Sequence, residues 1–237
     1  MEEKGVSDVV TVFMYQWFWE LLKHYLRTHP IAQSMVLEMG FRLKNEVRRP
    51  DLGVVKNDNP IPLKPTDKSY KGIYDLCIEA ISDSKPKDIK RDTIDKKAEY
   101  ANSGVKEYYI LDGHDRYMAF YRLNQSGLYE PIQSLPSDII QSTVLPGFQF
   151  RYADLFTKPS LDEMIDDPVY QNFVLPEYRE AKQQIKQEQQ ARQLAETRAL
   201  QAEAQVRTEK EARQQAQQRA EQLTKQLRAL GIEPDNF

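Results

Sequence analysis

The spacing of apolar and polar residues predicts a long helix near the start of the chain. From about residue 8 to 28, apolar side chains recur at steps of three and four, which is typical of an amphipathic helix. Ser7 is the predicted N-cap, and His29-Pro30 is predicted to end the helix. The face predicted to pack on the core holds Val12, Tyr15, Trp19, Leu22 and Leu26.

After this helix the pattern changes to short runs that are typical of strands. Strand character is expected within residues 34–55, and the apolar run Ile73–Ile81 is the best candidate for a central strand. Residues 82–91 are predicted to form a polar, basic loop, followed by a helix over 92–102 that ends at Gly104. Further strands are predicted over residues 105–111, 117–123, 129–132 and 148–152.

From Pro176 onward the composition changes to Gln, Ala, Glu, Arg and Lys. With Tyr178 at heptad position a, 12 of the 16 a and d positions up to Leu230 are apolar, which predicts a coiled coil that ends at Gly231. Six of those 12 are alanines, which bury little area, so a homodimer formed here is expected to be weak except near its Leu223–Leu230 end. An isolated helix is the alternative. The predicted divisions are a domain over 1–175, a helix over 176–231 and a short tail over 232–237.

The overall charge, the cysteine content and the N-terminal sequence narrow the class of protein. A net charge of −3 argues against capture of nucleic acid by overall charge, although it permits a local basic groove. The single cysteine, Cys77, excludes an internal disulfide framework and a cysteine-rich zinc site, and it is expected to be a buried structural thiol. The N-terminus lacks the features of a secretory signal, and the apolar stretch Val9–Leu22 is too short to span a bilayer. We therefore expect a soluble, cytoplasmic protein with no membrane partner.

Two carboxylates are unusual for their positions. Asp51 follows a proline at the start of a short apolar run, although a Pro-Asp pair is by itself a turn signal. Glu79 lies inside the predicted central strand, on the face that also holds Asp75, Cys77 and Ile81. A carboxylate in an apolar strand must be paired or must bind a cation, because an unpaired buried charge is costly. A salt bridge and a functional site both satisfy this requirement.

The helix predicted after the basic loop carries a third feature. Asp92, Lys96 and Tyr100 are spaced four residues apart, so they share one face of the helix. The alternative is an ordinary surface ion pair between Asp92 and Lys96. Tyr100 is expected to pack beneath the helix rather than to act in a reaction.

These features occur in the order and spacing of a known family. The segments concerned are Arg49-Pro50-Asp51-Leu52-Gly53-Val54-Val55, Glu79-Ala80-Ile81-Ser82, Asp92 with Lys96 and Tyr100, and Gly104-Val105 followed by Glu107-Tyr108-Tyr109 and Asp112. Together they resemble the Uma2 family, a branch of the PD-(D/E)XK restriction-endonuclease-like superfamily. The tail is similar to the coiled extension of many cyanobacterial members. The resemblance implies an α/β fold, with a restriction-endonuclease-like core in which helices flank a mixed central sheet.

The resemblance also implies a function, the metal-assisted hydrolysis of DNA phosphodiester bonds. Asp51, Glu79 and the backbone carbonyl of Ala80 are then expected to bind one or two Mg²⁺ or Mn²⁺ ions, which prefer oxygen ligands. Such a metal lowers the pKa of a bound water and neutralises charge on the phosphate. Lys96 is expected to orient or help to deprotonate this water, or to stabilise the phosphate in the transition state. The superfamily's usual lysine stands where this chain has Ile81, so Lys96 substitutes for it from the following helix.

Further charged residues and an alternative function remain open. The basic residues near the predicted site, which either contact substrate phosphates or form a solvated loop, are Lys85, Lys87, Lys90 and Arg91. Glu38 and Glu46 are weaker candidates for an additional acid. The alternative function is a catalytically inactive nucleic-acid-binding or coiled-coil assembly protein on the same fold. The sequence does not decide between DNA and RNA.

Overall fold

A computed structural model describes residues 7–36, 39–43, 46–82 and 85–229 of the 237-residue chain. Internal contacts divide the chain into two units, Met1–Arg179 and Glu180–Phe237. The first unit contains the sheet and the shorter helices, and the second contains most of one long helix. Within the described ranges, no helix combines the length and the hydropathy needed to cross a bilayer. The division predicted after residue 175 stays a prediction.

Helices and strands are interleaved along the first unit. The helices are α1 (Val9–Thr28), α2 (Pro86–Lys90), α3 (Lys96–Ser103), α4 (Asp154–Thr157), α5 (Leu161–Ile165) and α6 (Pro176–Ala229), the last of which continues into the second unit. The strands are β1 (Ala32–Met35), β2 (Phe41–Arg42), β3 (Val47–Arg48), β4 (Leu52–Lys56), β5 (Leu76–Ala80), β6 (Glu107–Leu111), β7 (Ala119–Leu123), β8 (Tyr129–Pro131), β9 (Ile139–Gln141) and β10 (Gln149–Arg151). A π-helical turn over Arg91–Asp95 joins α2 to α3.

Six of the strands form one mixed sheet, in the order β1-β4-β5-β6-β7-β8. β5 and β6 are parallel, with Glu79 opposite Ile110, whereas the neighbouring pairs β4–β5 and β6–β7 are antiparallel. A parallel pair needs a crossover connection, and the segment from α2 to α3 provides it. The chain therefore has the predicted α/β fold, in which helices flank a mixed central sheet.

Each face of the sheet packs against its own apolar layer. Leu76 and Ile78 of β5 belong to the layer that includes α1, whereas Cys77 belongs to the layer that includes Tyr100 of α3. Side chains alternate between the two faces of a strand, so Glu79 lies on the same side as Cys77, as predicted. Burial raises the pKa of the Cys77 thiol, which agrees with a structural cysteine.

The first helix has the predicted extent but a different N-cap. α1 begins after Asp8, whose carboxylate accepts the Thr11 amide hydrogen at 2.8 Å. The prediction of Ser7 as N-cap is therefore wrong. The Ser7 hydroxyl instead donates to the carbonyl of Ala80, at the end of β5.

The predicted buried face of α1 is displaced by about one residue. The apolar side chains that are fully buried are Met14, Phe18, Leu21, Leu22 and Tyr25. Of the predicted face only Leu22 is among them, and the others are partly buried. The prediction failed because apolar and aromatic residues occupy most of the helix circumference, so their spacing alone does not select one face.

The basic segment before α3 is helical from Pro86 onward, so the prediction of a loop over 82–91 is wrong there. Pro86 occupies the first helical position, where its missing amide hydrogen costs no hydrogen bond. The short polar helix has no apolar periodicity that would indicate it in the sequence. At the other end, Gly104 ends α3 as predicted, in the left-handed conformation with φ 87°.

The last helix, α6, runs without interruption from Pro176 to Ala229. The structure buries none of its described residues, and Ile185, Val206 and Leu223 are each more than half exposed. The prediction of a long C-terminal helix is confirmed. Its predicted end at Gly231 and the tail over 232–237 lie outside the described residues, and its self-association stays a prediction.

Candidate active site

A pocket of about 220 Å³ lies where β5 ends. The residues that line it are Ser7, Val47, Arg48, Arg49, Asp51, Glu79, Ala80, Ser82, Arg91, Asp92 and Lys96. It therefore brings together Asp51, Glu79 and Lys96, which are far apart in the sequence. A larger and more open hollow of about 620 Å³ lies over β7 and β8, but Asp138 is the one charged residue among those that line it. Of these two, the smaller pocket is the one that combines acidic and basic side chains.

Glu79 is the buried acid of this pocket. Its side chain is 2% exposed. One carboxylate oxygen lies 2.7 Å from Nζ of Lys96, and the other accepts a hydrogen bond from the Tyr100 hydroxyl at 2.9 Å. Burial raises the pKa of Glu79; the Lys96 charge opposes this rise, and the nearby carboxylates of Asp51 and Asp92 add to it. Glu79 is thus contacted by one cation, Lys96, and lies near two further carboxylates, and a divalent cation would stabilise its charged form.

Lys96 links two buried carboxylates. Its Nζ lies 2.7 Å from Glu79 and 2.9 Å from Asp92, and the lysine is 7% exposed. Burial alone lowers the pKa of Lys96, but Glu79 and Asp92 more than reverse this effect, so the pKa lies above its usual value. Lys96 is therefore a protonated donor at neutral pH. The surface ion pair considered for Asp92 and Lys96 is in fact buried.

The π-helical turn positions the acid that holds Lys96. The amide of Lys96 donates to the carbonyl of Arg91, five residues earlier, and such widened turns are frequent at functional sites. The guanidinium of Arg91 donates to the Asp92 carboxylate at 3.1 Å and to Asp88 at 2.9 Å. The Tyr108 hydroxyl donates to the Asp92 carbonyl at 2.8 Å. These contacts fix Asp92 from both the helix and the sheet.

Asp51 reaches the pocket from the strand next to β5. It directly precedes β4, and one carboxylate oxygen accepts the amide hydrogen of Ala80 at 2.7 Å. The Asp51 carbonyl accepts a hydrogen bond from the Tyr15 hydroxyl of α1 at 2.9 Å. Tyr15 of α1, and Ser7 just before that helix, therefore support the two strands that position the acids.

The oxygen atoms around the pocket suit a hard divalent cation. Asp51 and Glu79 supply carboxylates, and Ala80 supplies a backbone carbonyl. Each of these oxygens has more than one lone pair, so an existing hydrogen bond does not prevent metal binding. Among the described residues, no group of three or more His, Cys, Asp or Glu side chains is arranged to hold a metal ion. Mg²⁺ is commonly held by one or two carboxylates together with water and phosphate oxygens, so the donor set fits Mg²⁺ or Mn²⁺.

The predicted phosphate contacts divide into two groups. Arg91 lines the pocket, whereas Lys85, Lys87 and Lys90 are exposed residues that do not line it. The ammonium nitrogen of Lys90 lies 3.9 Å from a carboxylate oxygen of Asp95. The roles of all four residues stay predictions.

The two weaker acidic candidates do not add to the pocket. Glu46 is exposed and lies 2.7 Å from a guanidinium nitrogen of Arg48, and it does not line the pocket. Glu38 lies outside the described residues.

Three residues at or near the pocket have roles that were not predicted from the sequence. Arg49 lines the pocket, is exposed, and has no ion-pair partner among the residues that the structure describes. Tyr100 was expected only to pack, yet its hydroxyl donates to Glu79. Arg48 lines the pocket and forms an ion pair with Glu99 of α3. The one available signal was that Arg49 stands two residues before Asp51.

Two buried carboxylates outside the pocket have structural roles. Glu107 on β6 accepts hydrogen bonds from the hydroxyls of Tyr109 and Ser142 and from the amide and hydroxyl of Thr143, all at 2.7–2.8 Å. Asp75, which directly precedes β5, accepts from Lys106 at 2.7 Å and from the amide of Lys56 at 2.9 Å. Neither residue lines the pocket. Burial of a carboxylate is therefore not unique to the site.

Comparisons with known proteins agree with this fold. The sequence model of the Uma2 family, described as "Putative restriction endonuclease", matches residues 14–155, which is more than half of the chain. No curated protein matches. Among solved structures, the fold is similar to that of a "putative nuclease belonging to DUF820" from Anabaena variabilis ATCC 29413, with a TM-score of 0.52 and 14% sequence identity. This similarity covers 66% of this chain and 86% of that chain. The chain therefore belongs to the Uma2 family and has a nuclease-like fold.

Proposed function

We propose that the protein is an endonuclease that uses Mg²⁺ or Mn²⁺ to hydrolyse DNA phosphodiester bonds in the β5 pocket. The observation that carries this proposal is the convergence of Asp51, Glu79 and Lys96 in one pocket, with Glu79 buried and close to the carboxylates of Asp51 and Asp92. Acids with raised pKa values in a pocket are typical of functional sites. Membership of a family described as a restriction endonuclease supports the same reaction class.

Three oxygen-bearing groups would hold the metal. These are the carboxylates of Asp51 and Glu79 and the carbonyl of Ala80. When bound, the ion supplies Lewis-acid stabilisation of the phosphate and lowers the pKa of a bound water. Tyr100 and Lys96 hold the Glu79 carboxylate in place, and the Ala80 amide holds that of Asp51. This preorganisation lets the acids receive a cation with little rearrangement.

Lys96 acts in this proposal as a donor rather than as a base. Its pKa is raised by Glu79 and Asp92, so it is protonated at neutral pH. A protonated lysine can orient the attacking water or stabilise charge on the phosphate, but it cannot remove a proton. Of the roles expected from the sequence, proton abstraction is the one that this charge state disfavours.

Basic side chains around the pocket would receive the DNA backbone. Arg49 is exposed at the pocket and presents a guanidinium, which suits bidentate contact with phosphate. Arg91 also lines the pocket, although Asp88 and Asp92 already engage it. The lysines at 85, 87 and 90 would extend this surface along the exposed side of α2. The net charge of −3 implies that such a local surface, rather than the whole protein, attracts DNA.

A binding protein without catalytic activity is the second candidate. The observation that favours it is that Lys96 is held by two carboxylates, which leaves it less able to contact a substrate. In that case the protein would bind nucleic acid through Arg49 and its basic neighbours without cleaving it.

We also propose that α6 joins two copies of the chain. Its apolar heptad positions from Tyr178 to Leu223 are exposed, and double-strand cleavage needs two active sites. Sedimentation of the full chain and of a chain that ends at Pro176 tests this proposal. A dimeric mass that is lost on truncation supports it, and equal monomer masses contradict it.

A cleavage assay tests the enzymatic proposal. Supercoiled plasmid DNA and a matched RNA are incubated with the full chain and Mg²⁺, Mn²⁺ or EDTA. We expect metal-dependent nicking of DNA, and loss of nicking in Glu79→Ala and Asp51→Asn variants that retain the circular dichroism spectrum of the wild type. Binding of DNA without cleavage supports the second candidate. Undiminished cleavage by folded Glu79→Ala overturns the assignment of the site. Cleavage of RNA but not of DNA overturns the assignment of DNA as the substrate.

A further inference from the structure

Four charged residues interrupt the apolar stripe of α6. In the heptad register set by Tyr178, Arg192 and Arg213 occupy a positions, and Glu188 and Glu209 occupy d positions. These positions lie in the seam between the helices of a coiled coil. A charge placed there must meet an opposite charge, because an unpaired buried charge is strongly destabilising. The four residues therefore select among the ways in which two copies of α6 can pair.

A parallel pairing in register fails this test. Each a residue then faces the same residue of the second copy, and so does each d residue. Two layers would contain facing arginines and two would contain facing glutamates. The parallel arrangement keeps a layer of facing Leu227 residues and two flanking pairs, Glu177 with Lys182 and Arg198 with Glu203. Exposed flanking pairs contribute little, so these two do not compensate for four layers of like charge.

An antiparallel pairing satisfies all four charges in one register. In an antiparallel coiled coil, residues at a positions face residues at d positions of the second helix, and the two helices run in opposite directions. In any one register, the numbers of two facing residues therefore add to the same total. Arg192 and Glu209 have numbers that add to 401, and so do Glu188 and Arg213. Other antiparallel registers also oppose Arg and Glu, namely Glu188 with Arg192 or Glu209 with Arg213. Each of them satisfies only two of the four residues.

The same register also aligns the apolar positions. The remaining facing pairs are Tyr178 with Leu223, Ala181 with Ala220, Ile185 with Ala216, Ala195 with Val206, and Ala199 with Ala202. The larger side chains of Ile185 and Val206 thus face alanines, which fits them into the seam. The helices overlap from residue 176 to 225, whereas the two other registers overlap only over 176–204 or 193–229. Charge pairing and overlap therefore favour the same register.

We infer that α6 pairs antiparallel with a second copy of the chain, so that Arg192 faces Glu209 of the partner subunit and Glu188 faces Arg213 of the partner subunit. This inference rests on the self-association proposed above. Pro176 then lies at opposite ends of the paired helices in the two copies. At a rise of 1.5 Å per residue the two Pro176 residues are separated by about 70 Å. The two chains enter the coiled coil from opposite ends rather than side by side.

Charge-exchange variants test the register. Glu209→Arg should weaken the dimer at least about tenfold, because Arg192 then faces an arginine. Adding Arg192→Glu to this variant should restore the dissociation constant to within about threefold of the wild type, because the facing pair is re-formed. Glu188→Arg combined with Arg192→Glu has the wild-type net charge and should instead weaken the dimer at least as much as the single variant.

This last variant is a matched control for pairing within one helix. Glu188 and Arg192 are four residues apart, so their exchange keeps this local pair and loses only the one between Arg192 and Glu196. The exchange of Arg192 and Glu209 breaks the local pairs at both sites. If local pairs decide stability, the 188/192 exchange would be the tolerated one, and the inference would be wrong. Sedimentation equilibrium of the full chain measures all four dissociation constants.

Disulfide cross-linking tests the orientation independently. Ala181→Cys and Ala220→Cys proteins are oxidised separately and after mixing and re-equilibration. We expect a cross-linked dimer in the mixture alone, because residues 181 and 220 of one chain are about 58 Å apart along the helix but face each other between chains. The wild-type chain is the negative control, since its single cysteine, Cys77, is buried and should not form a cross-link. A cross-link in either protein alone indicates parallel pairing and overturns the inference. A monomeric wild type overturns self-association as well, without affecting the proposed nuclease site.

Discussion

Replacement of Lys96 by methionine tests whether the buried charge cluster is real. The substitution removes the ammonium group and keeps a side chain of similar length. In the wild type Nζ lies 2.7 Å from Glu79 and 2.9 Å from Asp92, and both carboxylates are 2% exposed. Without the ammonium group, the two carboxylates remain in a site that water reaches poorly. We therefore expect Lys96→Met to lower the free energy of unfolding.

The size of the loss follows from burial. Removing one partner of a buried ion pair costs about 3–5 kcal/mol. Protonation of Glu79, whose pKa burial already raises, relieves part of this cost, so we expect a loss of about 3 kcal/mol at pH 7. Lys106→Met is the matched control, because Lys106 also lies 2.7 Å from a buried carboxylate, that of Asp75, but is itself 58% exposed. Its loss should be at most about 1 kcal/mol.

Urea unfolding followed by tryptophan fluorescence measures both losses, since both tryptophans, Trp17 and Trp19, lie in α1 and report on the sheet-containing unit. Combining Lys96→Met with Glu79→Gln should recover part of the stability, because a neutral amide no longer needs the lysine. Equal losses below about 1 kcal/mol for Lys96→Met and Lys106→Met would refute the reasoning. Lys96 would then contribute no more than a surface lysine.

Three further predictions concern other contacts. Tyr100→Phe removes the hydrogen bond to Glu79 and should cost about 1.5–3 kcal/mol in urea unfolding, the range for bonds to charged groups; an unchanged midpoint would contradict this. Arg49→Ala should weaken DNA binding and should lower by about one the slope of log affinity against log salt concentration, while its free energy of unfolding stays within about 0.5 kcal/mol of the wild type. An affinity equal to that of the wild type at every salt concentration would show that Arg49 does not contact DNA. Arg151 holds the pKa of Asp167 below its usual value. The stability advantage of the wild type over Asp167→Asn should therefore be complete at pH 7 and should shrink as the pH falls below about 4, whereas an advantage that grows in acid would have the wrong sign.

The residues that could be predicted from the sequence are those whose chemistry conflicts with their surroundings. Glu79 is an acid in an apolar strand, and this conflict predicted a paired or cation-binding position. Its side of the sheet followed from the alternation of side chains along a strand. Asp51 and Lys96 needed the family resemblance, since a Pro-Asp pair and an Asp–Lys spacing are common elsewhere. The structure places all three at one pocket.

The supporting contacts could not be predicted because they depend on long-range packing. The Ser7 hydroxyl reaches Ala80 across 73 residues, and Tyr15 reaches Asp51 across 36. The π-helical turn that positions Asp92 is wider than an α-helical turn, so the residues of this short segment do not follow the α-helical period. Their spacing in the sequence therefore does not indicate the turn. The face of α1 was misassigned for a related reason, because apolar residues surround most of that helix and the sheet selects the buried ones.

The central claim is that Glu79 belongs to a catalytic metal site, and one comparison tests it most directly. The measurement is the single-turnover rate of plasmid nicking as a function of Mg²⁺ and Mn²⁺ concentration, for the wild type, Glu79→Gln and Asp75→Asn. Asp75 is the matched control because it is equally buried, lies four residues away on the same side of the sheet, and does not line the pocket. We predict that Glu79→Gln loses at least about a hundredfold in rate at every metal concentration, and that folded Asp75→Asn keeps the wild-type rate and metal dependence. A Glu79→Gln rate equal to that of the wild type, or cleavage that does not depend on metal, would contradict the account.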